Sequence, residues 1–170
     1  MPTKLPLLLA TALLYAGSAV AQAPPTAAPP PAQPPLPYGA PIGLDDAKKA
    51  AAAAAAEVAK VGSAPDAIAI VDPGGFLVYF ERMDNTQLGS VEFAIDKARS
   101  AVLFRRPSKT FEDILAGGRT AILALRGAVP VEGGVPIVSG GKIIGAIGAS
   151  GGTAQQDGQV AKAGADTLSK

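Results

Sequence analysis

The chain has 170 residues, with 15 lysines and arginines, 14 aspartates and glutamates, no histidine and no cysteine. This composition excludes disulfides, Ser-His-Asp and Cys-His catalysis, nearly all zinc sites and the usual axial ligand of haem. The near balance of charge gives no electrostatic reason to expect a nucleic acid or an anionic membrane as a partner.

The first 41 residues predict an export signal followed by a spacer. Lys4 precedes a mainly apolar run, and residues 19–21 read Ala-Val-Ala, which is typical of a signal-peptide cleavage site. The run is too short for a transmembrane helix, so no stable membrane anchor is expected after cleavage. Residues 22–41 are rich in proline and alanine, a composition that favours an extended linker. We therefore expect a signal peptide at 1–21, a linker at 22–41 and one folded domain at 42–170, in the periplasm or outside the cell.

The first half of this domain predicts a helix and a β-hairpin. Asp45 is a suitable N-cap, and residues 50–56 are all alanine, the best helix former. Such a smooth helix suits packing on the sheet of its own domain and packing against a second subunit, and both interpretations stay open. Residues 67–71 and 76–80 read as strands, because the Asp-Pro-Gly-Gly sequence between them is a strong turn signal.

The second half predicts further helices and another hairpin. Apolar residues at helical spacing indicate a helix over 91–105 with Ser90 as its N-cap, and a short helix starts at Ser108 or Thr110. Residues 135–150 hold two uncharged strands around a glycine turn, and a terminal helix spans 153–168. Because the strands arrive as hairpins, the fold class is α+β, with helices packed against an antiparallel sheet.

Two acidic residues of the central helix are the candidate metal site. Glu92 and Asp96 lie one turn apart and share a helix face, so they could hold a cation weakly. Lys97 and Arg99 are close by, and a solvated charged face is the simpler interpretation.

An ordered set of short motifs makes the domain resemble the GlcG-like, or haem-degrading, family, which includes secreted haem-binding proteins and the C-terminal domain of PduO-type cobalamin adenosyltransferases. The motifs are Val-Asp-Pro-Gly-Gly at 71–75, Glu-Arg-Met-Asp at 81–84, Asp-Lys-Ala-Arg-Ser-Ala at 96–101, Gly-Arg-Thr-Ala at 118–121, Glu-Gly-Gly-Val-Pro at 132–136, Ile-Gly-Ala-Ile-Gly-Ala-Ser-Gly at 144–151 and Gln-Asp at 156–157. The resemblance implies a profilin-like α/β domain with a five-stranded antiparallel sheet flanked by helices, the strand not yet assigned lying near 128–131. It also implies homo-oligomers, from dimers to octamers, and binding of haem or iron.

The resemblance further implies roles for single residues. Glu92 and Lys97 match an iron-associated pattern of two glutamates and a lysine, although Ile95 stands in place of the second glutamate. Ser108 corresponds to a hydroxyl residue that is linked to haem in secreted relatives. The histidine ligand of PduO-type relatives is absent from this chain.

Other candidates follow from the chemistry of the residues themselves. Met83, Tyr79 or a lysine could ligate haem in principle. Met83 lies beside Arg82, which could bind a propionate, although a methionine at a strand end is more often part of the core. Gly133 and Gly134 could line a ligand pocket or serve turns and close packing. Arg119 could hold an anionic group, or form a salt bridge with Asp157 or Glu132.

These observations lead to three hypotheses. The first is an exported oligomeric binding protein for haem or a related small ligand, without robust catalysis. The second is an enzyme or enzyme accessory for a small organic acid or a tetrapyrrole, in which Arg82, Lys97, Ser108 and Arg119 would converge on one cleft. The third is a structural oligomer that uses the alanine-rich helix as its interface.

Overall fold

The computed structural model describes Met1 and residues 34–169, so the predicted signal peptide beyond Met1 and the linker as far as residue 33 lie outside the described part. The helices and strands, in chain order, are α1 (Leu44–Lys60), β1 (Ala67–Val71), β2 (Leu77–Arg82), α2 (Gly89–Phe104), α3 (Lys109–Ala116), a short 3-10 helix (Thr120–Ala124), β3 (Gly134–Ser139), β4 (Lys142–Ser150) and α4 (Ala154–Asp166). No helix in this part of the chain is long and apolar enough to span a membrane.

The described strands form one antiparallel sheet in the order β2-β1-β4-β3. Both predicted hairpins are present, with tight turns at Asp72–Gly75 and at the left-handed Gly140 and Gly141. The α+β fold class is confirmed, but the prediction of five strands is wrong, because the described sheet has four.

The predicted fifth strand near 128–131 is an irregular loop. Its backbone bonds to serine side chains instead of a neighbouring strand: Val129 N donates to Ser100 Oγ at 2.9 Å, and Val131 O accepts from Ser108 Oγ at 2.7 Å. Pro130 lies between them and has no N–H to donate to a ladder. The segment therefore has the apolar residues typical of a strand, but its backbone does not pair with any strand of the described sheet.

The segment before α1 attaches to β4 beyond the end of β1. Gly39 N and Ile42 N donate to the carbonyls of Ile143 and Ile144, each at 2.8 Å, and Ile143 N donates to Pro37 O at 2.9 Å. The side chain of Ile42 is buried in the core. The last residues of the predicted linker therefore satisfy backbone groups of β4 that β1 does not reach.

Helices cover both faces of the sheet, α2 on one side and the α1–α4 pair on the other. The buried residues of α1 are small, at helical spacing, and pack inside the domain: Ala47, Ala50, Ala51, Ala54 and Val58. α2 crosses β4 at Gly148, where a Cβ atom would collide with Ala94 O. Small residues thus bring helix and sheet backbones into direct contact.

Two helices start differently from the sequence prediction. The N-cap of α1 is Gly43 rather than Asp45, which lies in the first helical turn. Ser90 is buried inside α2 instead of capping it, and accepts from Ser150 Oγ at 3.2 Å. α4 begins with a capping box between Thr153 and Gln156.

Candidate functional site

Lys97 is buried and joins α2 to α4. Its Nζ lies 2.6 Å from Asp157 Oδ2 and donates to Ala149 O at 3.2 Å. The other carboxylate oxygen of Asp157 accepts from the backbone N–H groups of residues 151 and 152, at 3.2 and 3.0 Å. The pair is therefore enclosed and hydrogen-bonded on both sides, which makes it a structural element rather than an accessible ligand site.

A second carboxylate, that of Asp66, faces the same cluster. The Asp66 side chain is fully buried, and its Oδ1 accepts from Ser63 Oγ at 3.2 Å. Its Oδ2 has no hydrogen-bond partner among the described residues. Burial, and then the nearby charge of Asp157, raises the pKa of Asp66 to about 6, against the opposing effects of Ser63 and Lys97. The Lys97 ammonium is bonded to Asp157 and not to Asp66, so the buried Asp66 carboxyl lacks a direct cationic partner in the described part and its protonated form is favoured.

Ser108 fixes the loop that covers this cluster. Its buried Oγ donates to Val131 O at 2.7 Å and accepts from Gly134 N at 2.9 Å, while its N–H donates to Gly134 O at 2.9 Å. Gly133 has φ +129°, and a Cβ there would lie 2.7 Å from Lys97 Nζ. A Cβ at Gly134 would collide with Lys97 O. The hydroxyl and the two glycines are thus used in packing the loop onto α2.

The two glycines also line a cleft of about 280 Å³ between this loop, the start of α3 and the end of α4. Lys109 and Lys162 lie at its rim, but their ammonium groups are bound to Asp113 and Asp166 at 2.6 and 2.5 Å. Glu132 lies in the wall, and burial raises the pKa of its carboxyl. The cations of this cleft are therefore already paired, and its wall carries an acid.

A different groove, of about 350 Å³, lies between the end of α2, α3 and the 3-10 helix. We call it the arginine groove, because Arg106 and Arg119 line it above an apolar floor. The floor residues are Phe104, Phe111, Ile114, Ile122 and Leu125. The Phe104 and Phe111 rings meet edge to face, with centroids 5.1 Å apart.

The two guanidinium groups of the arginine groove form no ion pair with any carboxylate in the described part of the chain. Arg106 lies over the Phe111 ring at 5.9 Å, and its Nε donates to Phe104 O at 3.2 Å. Arg119 is exposed at the start of the 3-10 helix. Asp157, suggested as a partner of Arg119, pairs with Lys97 instead, and Glu132 lines the other cleft.

The remaining predicted site residues lie apart from the arginine groove. Arg82 is exposed at the end of β2, opposite Ala67. Met83 is half-buried against the core on the α1–α4 side, and its N–H donates to Asp66 O at 3.1 Å. Glu92 is exposed in the first turn of α2, and the described residues include no cluster of three or more acidic residues that could hold a metal ion.

The structure therefore does not bring the sequence candidates into one cleft: Lys97 and Ser108 are internal, and of the predicted residues only Arg119 lies in the arginine groove. Sequence reasoning missed the apolar floor and Asp66. The signal for the floor was the apolar segment after Arg119, which follows neither a helical nor a strand period. The signal for Asp66 was its position directly before the fully buried strand β1.

Comparisons with known proteins agree on one family. A family model described as "Haem degrading protein HbpS-like" matches residues 42–166. Protein GlcG of Escherichia coli K12 is 43% identical over 98 residues, which cover 58% of this chain and 73% of GlcG.

Solved structures show the same fold. The crystal structure of HbpS has a TM-score of 0.69 and 31% identity, covering 78% of this chain and 94% of HbpS. The crystal structure of a PduOC–haem complex has a TM-score of 0.67 and 26% identity, covering 75% of this chain and 95% of PduOC.

Proposed function

Because the chain belongs to the HbpS-like haem-degrading protein family, we propose that it is an exported, oligomeric binding protein for haem or a related small ligand, without robust catalysis of its own. The observation that carries the proposal is the arginine groove. It joins an aromatic and aliphatic floor to two guanidinium groups that lack carboxylate partners in the described part of the chain.

The groove suits a flat apolar ring that carries carboxylates. Phe104 and Phe111 offer aromatic surface on which a ring can stack, and apolar burial supplies the larger share of binding energy. Arg106 and Arg119 can each meet a carboxylate through charge-assisted hydrogen bonds. Haem combines such a ring with two propionates, and when bound it would supply a redox-active iron.

The comparisons support the same class of ligand. PduOC, a structural relative at 26% identity, has been crystallised as a haem complex. GlcG is the relative with 43% identity, and its name does not specify a ligand. The family and its haem-bound relative therefore favour a tetrapyrrole over an unrelated small molecule.

The enzyme alternative lacks the convergence that it requires. Arg82, Lys97, Ser108 and Arg119 do not share a cleft, and Lys97 is held by Asp157 and Ala149. The structural-oligomer alternative relied on the alanine face of α1, and the buried alanines of that helix pack within the domain. The predicted signal peptide supports export, and the family resemblance supports oligomer formation.

Titration of the purified protein with haemin, followed in the Soret region, tests the proposal. We expect a saturable change with one haemin per chain. The double variant Arg106→Ala/Arg119→Ala should weaken binding about 5- to 150-fold, because each of the two solvent-exposed contacts contributes roughly 0.5–1.5 kcal/mol and every 1.4 kcal/mol is tenfold. Arg126→Ala is the matched control, since Arg126 is exposed close by in sequence but does not line the groove.

Two results would contradict this function. A linear, non-saturating change would indicate non-specific association with haemin. Equal affinity of the double variant and the wild type would place any haemin site outside the arginine groove.

A further inference from the structure

The side chains of the arginine groove include no metal ligand. They are aromatic, aliphatic or guanidinium groups. A guanidinium stays protonated in proteins and has no lone pair to offer a metal. The chain as a whole contains no histidine and no cysteine, which removes the two nitrogen and sulfur ligands most often used for haem iron.

Four other side chains that could bind iron lie outside the arginine groove in the described part. Met83 packs against the core on the α1–α4 side. The Tyr38 hydroxyl donates to Val102 O at 2.8 Å, and the Tyr79 hydroxyl donates to Glu81 Oε2 at 3.2 Å. Lys109 is the lysine at the start of α3, and it lines the other cleft while bound to Asp113.

We infer, on the basis of the function proposed above, that the arginine groove recognises a tetrapyrrole by its carboxylate edge and apolar face and forms no bond to its metal. The ligand class is then the dicarboxylic porphyrins as a whole, with or without iron. Affinity depends on ring burial and on the two guanidinium–carboxylate contacts, and neither of these changes when the metal is removed.

The positions of the two arginines suit this mode of binding. Arg106 follows Arg105, whose left-handed backbone (φ +53°) ends α2, and it is held over Phe111 by its Nε bond to Phe104 O. Arg119 lies between α3 and the 3-10 helix, and its backbone N–H donates to Ile114 O at 3.2 Å. One cation thus follows the end of α2 and the other directly precedes the 3-10 helix, so a dianion would link the two segments that flank α3.

Parallel titrations with haemin, protoporphyrin IX and protoporphyrin IX dimethyl ester test the inference. Haemin is followed by Soret absorbance and the metal-free porphyrins by their own fluorescence. We expect protoporphyrin IX to bind within about 3-fold of haemin, and the ester, which lacks both charges, to bind at least about 10-fold more weakly.

Variants separate recognition by the groove from ligation of iron. Arg106→Ala/Arg119→Ala should weaken haemin and protoporphyrin IX by the same factor, whereas Arg126→Ala should affect neither. Met83→Ala should leave the Soret position of bound haemin unchanged, because Met83 lies outside the groove.

The outcomes distinguish this inference from the function on which it rests. If haemin binds saturably in the groove while protoporphyrin IX binds more than about 10-fold more weakly, metal-independent recognition is overturned and the proposed function stands. Equal binding of the ester overturns recognition by the carboxylate edge. If neither haemin nor protoporphyrin IX binds saturably, the proposed function and this inference both fail.

Discussion

Replacing Lys97 with methionine removes the ammonium that faces Asp157 and Asp66 in the interior of the domain. The Lys97 and Asp157 side chains are only 1% and 4% exposed, so water cannot take over the role of the lost ammonium. Methionine keeps most of the length of the side chain, which limits the change in packing. The expected result is a marked loss of stability caused by uncompensated buried charge.

The structure sets the size of this loss. Breaking a buried ion pair from one side typically costs about 3–5 kcal/mol, a large fraction of the roughly 5–15 kcal/mol that stabilises a domain. Lys162→Met is the matched control, because it breaks an exposed pair with Asp166 and should cost less than about 1 kcal/mol.

Urea unfolding followed by circular dichroism, at one protein concentration, measures both variants. At pH 7 we expect Lys97→Met to lower the unfolding midpoint strongly and Lys162→Met to change it little. The double variant Lys97→Met/Asp157→Asn should recover part of the loss, because the amide can still accept from the N–H groups of residues 151 and 152 without a charge. A Lys97→Met variant as stable as the Lys162→Met control would refute the reasoning.

Three further predictions concern the acid beside this pair, the packing of α2 and the segment before α1. The pKa of Asp66 is raised from its ordinary value of 3.8 to about 6, so the stability that its protonated carboxyl contributes is complete below about pH 4 and is lost as the pH rises through 6. Between pH 4 and pH 7 the free energy of unfolding of the wild type should therefore fall by up to about 3 kcal/mol relative to that of Asp66→Asn. Unfolding free energies of the two proteins that change in parallel with pH would contradict this prediction. Gly148→Ala should destabilise the domain by about 2 kcal/mol or more in urea unfolding, because the added Cβ would collide with the α2 backbone. Gly89→Ala is the control, because a Cβ there meets open space and the change should be neutral or stabilising. Similar unfolding midpoints for the two variants would argue against the close contact between Gly148 and α2. Tyr38→Phe removes the hydrogen bond to a carbonyl in the last turn of α2 and should cost about 1 kcal/mol in the same assay, while no loss would show that this contact is not needed.

The sequence was sufficient for the elements whose signals are local. Both hairpin turns are encoded by residues that tolerate or require turn geometry, such as Gly140 and Gly141 with φ +55° and +72°. The predicted terminal helix is present, with its N-cap at Thr153. Its capping box is visible in the sequence as threonine followed three residues later by glutamine.

The prediction of five strands was wrong because the conformation of residues 129–131 depends on contacts with residues far away in the sequence. Val129 and Val131 have the composition of a strand, but their backbone partners are Ser100 and Ser108, which are 29 and 23 residues away in the chain. Conversely, the pairing of residues 37–42 with β4 involves a proline-rich segment that composition alone predicts to be a linker. Both outcomes depend on long-range contacts.

The candidate site was predicted only at its charged edge. Arg119 was recognisable as a cation next to two glycines, but the floor beneath it is assembled from the last turn of α2, from α3 and from the 3-10 helix. The apolar residues in and just after the 3-10 helix follow neither a helical nor a strand period. The sequence therefore does not indicate which surface the exposed Leu123 and Leu125 cover. Only the packing of Phe104 against Phe111 shows that these segments form one groove.

Most motifs that carry the family resemblance describe the scaffold, and the exception is Gly-Arg-Thr-Ala at 118–121, which contains Arg119 of the arginine groove. Lys97, Ser108, Gly133, Gly134 and Asp157 all belong to them or were inferred through them, and the structure joins these residues in one buried unit linking α2, the loop before β3 and the start of α4. A ligand contact needs an accessible side chain, and this unit has almost none. The arginine groove lies outside the unit, and neither residue of the buried ion pair lines it. Under the proposed function, the ligand specificity of this chain is therefore better sought in the arginine groove than in the buried glycine-rich loop.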